Sequence, residues 1–192
     1  ALTKKGAGFF AFDFSGIGES DGKFEDTTLT QYIDDLRCAI DYISKLTDKI
    51  AVIGSSFGGI VSLHESVKDK KVKVMVQLSP VSCFPWGYNK EFSNINEWKE
   101  KGYAYTESGR FGKLKINYSF YEDGLKYGDY SVYENIKIPV LIIHGTKDES
   151  VSVEDSKELI KHISNYKLIT LKGADHRYSD KKDFESFYKC LI

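Results

Sequence analysis

The chain of 192 residues is 41% hydrophobic and 29% charged, which are ordinary proportions for a globular protein, and it is long enough to bury one sizeable core. Its formal net charge of −1 provides no basic field for binding nucleic acid or an anionic membrane surface. No stretch approaches the ~18 consecutive apolar residues of a membrane span. We therefore expect a single domain without nucleic-acid or membrane partners.

The chain contains three cysteines, Cys38, Cys83 and Cys190, which lack the paired spacing of a zinc site. Their odd number and wide separation favour reduced thiols in a cytoplasmic protein over a disulfide framework. We expect neither a metal nor a cofactor. The first residues, A-L-T-K-K-G, include no Met and no apolar signal segment, which predicts that the chain is trimmed or belongs to a longer product.

Strand-like and helix-like segments alternate along the chain, which predicts an α/β fold with a mostly parallel sheet covered on both faces. The first two predicted elements are a buried strand over Gly8–Asp13 and a helix with apolar residues at helical spacing, namely Leu29, Tyr32, Ile33, Leu36, Ile40, Ile43 and Leu46. They are followed by a strand over Ile50–Ile53, a helix over 57–67 and a strand over Val72–Leu78. Thr28 and Gln31 have the spacing of a capping box at the start of the first helix.

The later predicted elements are a strand over Val140–His144, a helix from Ser152 to about Ser164, a strand over Lys167–Leu171 and a terminal helix over 181–191. The segment 81–138 interrupts this alternation and contains both tryptophans and about half of the aromatic residues. It is too long for a simple connection, so we expect an inserted cap, with residues 1–80 and 139–192 forming the core of the same domain. Its aromatics could equally build a small satellite core.

Residues 53–59 read I-G-S-S-F-G-G and contain two adjacent serines. Ser56 has Gly54 two positions before it and Gly58 two positions after it, whereas Ser55 lacks glycines at both of those positions. The pattern G-x-S-x-G, between an apolar strand and an apolar helix, is typical of a nucleophile elbow, in which a strained serine occupies a sharp turn. Small flanking residues allow the strand and the helix to approach each other closely.

Ser56 is therefore the candidate nucleophile. Helix N-termini present N–H groups, so the N–H of Phe57 can stabilise a developing oxyanion next to this serine. The alternative is an ordinary turn, because glycine- and serine-rich turns after strands are common in α/β folds.

A serine hydroxyl needs a base to take its proton, and histidine is the usual one near neutral pH. His176, in G-A-D-H-R-Y-S after the last strand, is in a loop at the end where active sites of parallel sheets collect. His64 is inside the helix after Ser56 and faces away, and His162 is in a polar stretch of helix. His144 ends a strand, where it could be buried and hydrogen-bonded. His176 is the best candidate for the base.

The acid that orients this base is expected between the serine and the histidine in the chain. Asp148 follows the strand V-L-I-I-H in the loop G-T-K-D-E-S-V, at the same edge of the sheet. Asp175 adjoins His176 and would have difficulty reaching back to its ring, and Glu149 is a possible substitute. The alternative for Asp148 is a turn-forming aspartate, which such loops often contain. Ser56, Asp148 and His176 each follow a different strand, in the order expected of a triad.

With these motifs in place, the chain resembles an α/β-hydrolase over essentially its whole length, from D-F-S-G-I-G-E-S-D-G through G-S-S-F-G-G and P-V-L-I-I-H-G-T-K-D to G-A-D-H. Within that superfamily, S-D-G-K-F-E-D-T-T-L at 20–29, S-P at 79–80 and K-L-I-T-L-K-G-A-D-H at 167–176 are similar to the feruloyl (cinnamoyl) esterase group. The resemblance implies hydrolysis of small-molecule carboxylic esters, with the cap shaping an acyl pocket. Trp86, Tyr88 and Trp98 are candidate substrate contacts, because aromatic faces suit planar acyl groups.

Two features depart from the family pattern. The esterase group often has histidine before the nucleophile, whereas this chain has Ser55, a form that also occurs in peptidase-like relatives, so the leaving group stays open between alcohol and amine. The loop that usually provides the second oxyanion N–H is absent, since the chain begins at what resembles the fourth strand of the fold. We hypothesise an upstream segment that contains this loop and a neighbouring strand.

Other functions remain open at this stage. A peptidase, lipase or thioesterase would use the same fold and triad, and a non-catalytic homologue would use the pocket for binding alone. Dinucleotide binding at G-I-G-E-S-D is a weaker alternative, because the third glycine of the fingerprint is missing. The sequence does not fix the acyl group or the oligomeric state.

Overall fold

The computed structural model describes residues 3, 6–85, 94–108 and 112–190. The strands and α-helices are, in chain order, α1 (Leu29–Ile43), β1 (Ile50–Ser55), α2 (Phe57–Lys68), β2 (Val72–Leu78), α3 (Ile95–Lys101), β3 (Tyr103–Ser108), β4 (Gly112–Asn117), α4 (Tyr118–Gly124), β5 (Val140–Gly145), α5 (Val153–Leu159), β6 (Tyr166–Leu171) and α6 (Lys181–Cys190). Short 3₁₀ helices are at Phe24–Asp26, Leu125–Tyr127 and Tyr130–Asn135.

The central sheet has four parallel strands in the order β1-β2-β5-β6. Strand β2 is paired with β5 from Met75 beside Val140 to Leu78 beside Ile143. Parallel strands align their carboxyl ends, so the loops after β1, β5 and β6 meet at one edge of the sheet. The α/β fold class predicted from the sequence is confirmed, and this edge is where the candidate nucleophile, acid and base were expected.

Amphipathic helices cover the sheet. Thr28 caps α1 as expected, since its hydroxyl accepts a hydrogen bond from the N–H of Gln31 (3.0 Å). The apolar side of α1 and one side of α2 pack over β1 in a core that includes Leu29, Ile33, Ile40, Val52, Ile60 and Val61. A second core, with Leu63, Met75, Ile142 and Leu159, lies between α2, the sheet and α5. Within the described ranges, no helix is long and apolar enough to cross a membrane.

The prediction of a buried strand over Gly8–Asp13 is wrong. These residues have no regular secondary structure, and Phe9 and Phe10 are 73% and 48% exposed. A strand needs a hydrogen-bonded neighbour, and none of the described strands pairs with this segment. It is attached through aromatic contacts instead, with Phe12 against Phe14 and Phe14 against Tyr32.

The helix predicted to run from Ser152 to about Ser164 is shorter than expected. Ser152 caps it through a hydrogen bond from the N–H of Glu154, but α5 ends at Leu159. The chain then continues in tighter turns, because the N–H groups of Lys161 and His162 bond to carbonyls only three residues back.

Between β2 and β5, the described residues form α3, the antiparallel hairpin β3–β4, α4 and two of the short 3₁₀ helices. The hairpin is a separate two-stranded sheet and does not extend the central one. The division into a core and an inserted cap over 81–138 stays a prediction.

Candidate active site

The turn between β1 and α2 holds Ser56 in a strained conformation. β1 ends at Ser55 and α2 begins at Phe57, which leaves Ser56 alone between them with φ 52° and ψ −121°. A positive φ in a non-glycine residue costs on the order of 1–3 kcal/mol and persists only where the surroundings enforce it. Here the N–H of Ser56 donates to the carbonyl of Leu78, and its own carbonyl accepts from Gly59 and Val81, all at 2.9 Å.

The glycines near this turn have different roles. A Cβ at Gly54 would lie 2.3 Å from Ser62 Oγ and 2.5 Å from the carbonyl oxygen of Gly58, so that position requires glycine. A Cβ at Gly58 would meet nothing within 4 Å, so the expectation that Gly58 permits close packing of strand and helix is wrong. The residue with that role on the helix is Gly59, where a Cβ would lie 2.5 Å from Pro80 Cβ.

The structure brings together the three side chains chosen from the sequence. His176 Nε2 is 3.0 Å from Ser56 Oγ, and His176 Nδ1 is 2.7 Å from Asp148 Oδ2. The imidazole is 19% exposed and the carboxylate is fully buried. A half-buried serine, a partly covered base and a buried acid thus form one continuous series of hydrogen bonds.

The Asp148 carboxylate is surrounded by hydrogen-bond donors. Its Oδ1 accepts from the N–H groups of Ser150 (2.9 Å) and Val151 (2.8 Å), and its Oδ2 faces nitrogens of His176 and His144. Burial acts to raise the pKa of this carboxyl, but the hydrogen bonds from His144, His176 and Val151 outweigh it and hold the pKa well below its usual range. Asp148 is therefore an anion near neutral pH.

This geometry fixes the direction of the hydrogen bonds. An ionised carboxylate only accepts, so His176 Nδ1 must carry a proton when it bonds Asp148. A neutral imidazole then has its lone pair on Nε2, where it can accept the proton of the Ser56 hydroxyl. The arrangement is the one that general-base activation of a serine requires.

The loops that carry Asp148 and His176 are held to each other by the backbone. The N–H of Lys147 donates to the carbonyl of Ala174 at 3.0 Å, and the N–H of Gly173 donates to Thr146 Oγ1 at 2.9 Å. A Cβ at Gly145 would lie only 2.3 Å from the Ala174 carbonyl oxygen, so glycine is needed for this approach. The distance between acid and base is thus set by main-chain contacts.

A second anchor for the histidine loop comes from Tyr178. Its hydroxyl donates to the carbonyl of Ile143 and is 3.0 Å from Ser79 Oγ, which attaches the residues after His176 to the ends of β5 and β2. Tyr178 and Ser79 also have positive φ values, 52° and 43°. Together with Ser56, they are the non-glycine residues of the described ranges with this conformation, and all three are at the candidate site.

The side chains considered as alternatives lie elsewhere. Asp175 Oδ1 accepts from the N–H groups of Arg177 and Ser179 and so caps its own turn. Glu149 is exposed. His64 is buried beside Tyr133, whose hydroxyl is 2.9 Å from its Nε2, and burial lowers the pKa of His64 to about 4. None of these replaces Asp148 or His176 in the hydrogen-bonded chain.

The remaining histidines have distinct surroundings. The side chain of His162 is 26% exposed, its Nε2 lies 3.7 Å from Glu158 Oε1, and its ring stacks on that of Tyr130. His144 is fully buried and hydrogen-bonded, with Nδ1 2.7 Å from Ser156 Oγ and Nε2 3.1 Å from the carbonyl of Val151.

Of the three residues chosen as substrate contacts, Trp98 is the one that lies in the described part of the chain. Trp98 is only 2% exposed, and its indole N–H donates to the carbonyl of Ile116 while its ring packs on Tyr118 and Tyr121. These contacts give it a packing role in the segment between β2 and β5. Trp86 and Tyr88 lie outside the described residues.

Phe57, chosen as an oxyanion donor, is the first residue of α2, directly after Ser56. Its ring packs between Tyr32 and Phe120. The main chain of Phe57 therefore stands at the helix N-terminus beside the candidate nucleophile, while its side chain fixes that helix end against the core.

The glycine-rich loop G-I-G-E-S-D does not have the surroundings of a dinucleotide site. It follows an irregular segment and is followed by a short 3₁₀ helix, so it is not between a strand and an α-helix. Its N–H groups are used within the loop, since Gly16 donates to the carbonyl of Asp21 and Glu19 to Asp13 Oδ2. No three metal-ligating side chains come together in the described part of the chain.

His144 is buried and hydrogen-bonded as expected, but sequence reasoning did not identify its partners, and it missed the contacts of Ser156 and Tyr178. A signal existed for His144, because it is four residues before Asp148 in H-G-T-K-D and follows a buried run. No sequence signal indicated Ser156 or Tyr178, whose partners are 12 and 35 residues away in the chain.

Comparisons with known proteins agree with this fold. The family described as serine aminopeptidase, S33, matches residues 1–105. A mouse protein named palmitoyl-protein thioesterase ABHD10, mitochondrial, is 28% identical over 93% of this chain. The bovine protein of that name is 26% identical over 94% of it. The chain spans about three fifths of these two relatives, 62% and 60% of their lengths.

Solved structures are also similar to this chain. The structure of Est1E from Butyrivibrio proteoclasticus with bound ferulic acid has a TM-score of 0.74 and 26% identity, covering 93% of this chain and 75% of that one. Mouse alpha/beta hydrolase domain-containing protein 10 has a TM-score of 0.75 and 25% identity, covering 93% and 74% of the two chains.

Proposed function

The chain belongs to the serine aminopeptidase S33 family of α/β-hydrolases, and from that premise we propose that it is a serine hydrolase of carboxylic esters, with Ser56 as nucleophile, His176 as base and Asp148 as orienting acid. The observation that carries the proposal is the hydrogen-bonded chain from Ser56 Oγ to His176 (3.0 Å) and on to Asp148 (2.7 Å). The relatives whose names state an activity are hydrolases, which supports the same reaction class.

The reaction has two halves. His176 Nε2 takes the hydroxyl proton as Ser56 Oγ attacks the ester carbonyl carbon, and the carbonyl oxygen becomes an oxyanion beside the N–H of Phe57. The protonated imidazole, stabilised by Asp148, then donates its proton to the leaving alkoxide, and the alcohol departs. Water, deprotonated in turn by His176, attacks the acyl-enzyme and releases the acid and the free serine.

The strained turn contributes to this chemistry through positioning. Because Ser56 is held by three main-chain hydrogen bonds in a conformation that it would not adopt alone, its hydroxyl stays at the edge of the sheet and directed towards His176. No conformational search precedes the attack, and this preorganisation lowers the entropic cost of reaching the reactive geometry.

The acyl and leaving groups are open between two ester classes. A hydroxycinnamoyl or other small acyl ester is supported by the similarity to Est1E, whose structure contains ferulic acid. An acyl thioester is favoured by the relatives named palmitoyl-protein thioesterase. Both classes use the same nucleophile, so the choice is one of substrate and not of mechanism. Peptidase or lipase activity would also use this group of side chains.

Location in the cell stays a prediction as well. The thiols of Cys38, Cys83 and Cys190 are free in the structure, in keeping with a reducing compartment. The mouse and bovine relatives named palmitoyl-protein thioesterase ABHD10 are mitochondrial by name, and the sequence-based expectation for this chain is the cytoplasm.

A fluorophosphonate probe tests the proposed nucleophile directly, because it labels a serine only when a base activates it. We expect labelling of the wild-type protein at Ser56 and none in Ser56→Ala, whereas Ser55→Ala, the neighbouring serine in β1, is labelled normally. An unlabelled wild type would make the protein a binding homologue instead of an enzyme. Rates on p-nitrophenyl esters, hydroxycinnamate esters and acyl-coenzyme A thioesters of graded length then identify the substrate class.

A further inference from the structure

We propose that His144 is a positioning residue for the reaction, and that it acts by donating a hydrogen bond from Nε2 to the carboxylate of Asp148. The inference rests on the proposed function, since it assigns a second support to the same acid. His144 is at the end of β5, and Asp148 follows it by four residues in the loop.

The protonation of His144 Nε2 follows from its neighbours. This nitrogen is 3.2 Å from Asp148 Oδ2 and 3.1 Å from the carbonyl oxygen of Val151. An ionised carboxylate and a carbonyl are both acceptors, so only a proton on Nε2 makes the contacts favourable. In the neutral ring Nδ1 then has a lone pair, and it can accept a hydrogen bond from the hydroxyl of Ser156, whose Oγ is 2.7 Å away.

Burial makes this assignment consequential. The side chains of His144 and Asp148 are both 0% exposed, so water cannot substitute for a missing partner. Ser156, on α5, is also fully buried. An unpaired donor or acceptor in such a place costs far more free energy than one on the surface. The hydrogen bonds that link Ser156, His144 and Asp148 are therefore kept intact.

The two histidines share a single carboxylate oxygen. Oδ2 of Asp148 accepts from His176 Nδ1 at 2.7 Å and faces His144 Nε2 at 3.2 Å, while Oδ1 is occupied by backbone N–H groups. With His144 present, Oδ2 faces a second donor, and rotation of the carboxylate away from His176 would also lose the contact with His144. His144 therefore limits the carboxylate to the orientation in which it holds the base.

Amide substitutions separate the donor function from simple packing. Glutamine places its N–H₂ near the position of a histidine Nε2, whereas asparagine reaches only the position of Nδ1. We expect His144→Asn to lower kcat by about ten-fold to a hundred-fold, the scale on which outer hydrogen bonds act on the groups they orient, with KM changed less than about two-fold. His144→Gln should recover most of that loss. His162→Asn makes the same substitution at a histidine that is not hydrogen-bonded to Asp148, and it should leave kcat unchanged.

A measurement on the wild-type protein tests the required proton without any variant or substrate. In protein labelled with ¹⁵N-histidine, NMR should show a proton on Nε2 of His144 and a proton on Nδ1 of His176. His144 with Nε2 unprotonated would overturn the proposal, since it could not donate to Asp148. Equal kcat losses in His144→Asn and His144→Gln would overturn it too. Wild-type protein without hydrolase activity would refute the proposed function, while the NMR result would still show whether His144 carries the proton that it needs to donate to Asp148.

Discussion

Replacing Asp148 by asparagine should abolish most of the activity by changing which nitrogen of His176 carries the proton. The substitution keeps the size of the side chain but converts one carboxylate oxygen into an N–H₂ donor. All four groups around the carboxylate face it as donors: two backbone N–H groups at Oδ1 and two histidine nitrogens at Oδ2. Wherever the new N–H₂ lies, it meets a donor.

The geometry indicates which conflict is relieved. The backbone N–H groups of Ser150 and Val151 cannot lose their protons, so the amide oxygen should stay with them. The amide N–H₂ then faces His176 Nδ1, which can become an acceptor only if the ring moves its proton to Nε2. In that tautomer Nε2 points a proton at Ser56 Oγ and can no longer remove the hydroxyl proton.

We expect Asp148→Asn to reduce kcat by about 10⁴-fold, the scale found when the acid of a triad is replaced in this way. That factor corresponds to about 5.4 kcal/mol in the activation free energy. KM should change little, because Asp148 is buried behind the histidine and does not face substrate. Steady-state hydrolysis of a p-nitrophenyl ester measures both constants, and thermal unfolding reports whether the variant is folded.

Glu149→Gln is the matched control, since it makes the same chemical change at the next, exposed residue. It should retain wild-type kcat. The tautomer argument would be refuted if folded Asp148→Asn kept more than about a tenth of the wild-type kcat, or if Glu149→Gln lost as much activity as Asp148→Asn.

Further predictions concern stability. Gly54→Ala should lower the free energy of unfolding by about 1–3 kcal/mol, because its Cβ would overlap the Gly58 carbonyl. Gly58→Ala should not show this loss, because its Cβ would lie in open space. Chemical denaturation of the two variants measures the difference. Burial lowers the pKa of His64 to about 4, so between pH 6.5 and pH 4 the unfolded chain binds a proton at this residue more readily than the folded protein does. The unfolding free energy should therefore fall by about 3 kcal/mol as the pH is lowered from 6.5 to 4. His64→Gln should remove that part of the pH dependence. Trp98→Ala should cost about 3–5 kcal/mol in unfolding free energy with KM unchanged, since the ring is core.

Opposite results would contradict each of these in turn. Equal stability of the two alanine variants would mean that the turn can move to make room at Gly54. If the unfolding free energy of wild type and of His64→Gln fell equally as the pH is lowered, folding would not lower the pKa of this histidine, which would then be protonated within the fold. A raised KM in a stable Trp98→Ala variant would restore Trp98 as a substrate contact.

The order of strands and helices and the choice of Ser56, Asp148 and His176 came from local information. Apolar runs of strand length end at I-G-S-S-F, at V-L-I-I-H-G and at K-L-I-T-L, and each candidate follows one of them. Because parallel strands align their carboxyl ends, three residues distant in the chain had to fall at one edge. The structure places them there, hydrogen-bonded to one another.

Local information was insufficient wherever a neighbour decides the outcome. The segment Gly8–Asp13 reads as a strand, but strand formation needs a hydrogen-bonding partner, and none of the described strands provides one. Trp98 reads equally well as a binding-site aromatic or as core, and only the folded structure, in which it is 2% exposed, shows that it is buried. Gly54 and Gly58 look alike in the motif, and only the atoms around them separate their roles.

The sequence by itself therefore determined the α/β class, the elbow serine and the order of the three candidate groups, because periodicity and turn chemistry act over a few residues. Only the tertiary structure decided how the acid meets the base: the contacts between the loops of Asp148 and His176, and the contact of His144 with Ser156 on α5. A hydrogen bond between segments remote in the chain forms only when donor and acceptor lie within a few tenths of an ångström of their preferred separation. Those distances exist only once the sheet has brought its carboxyl edge together.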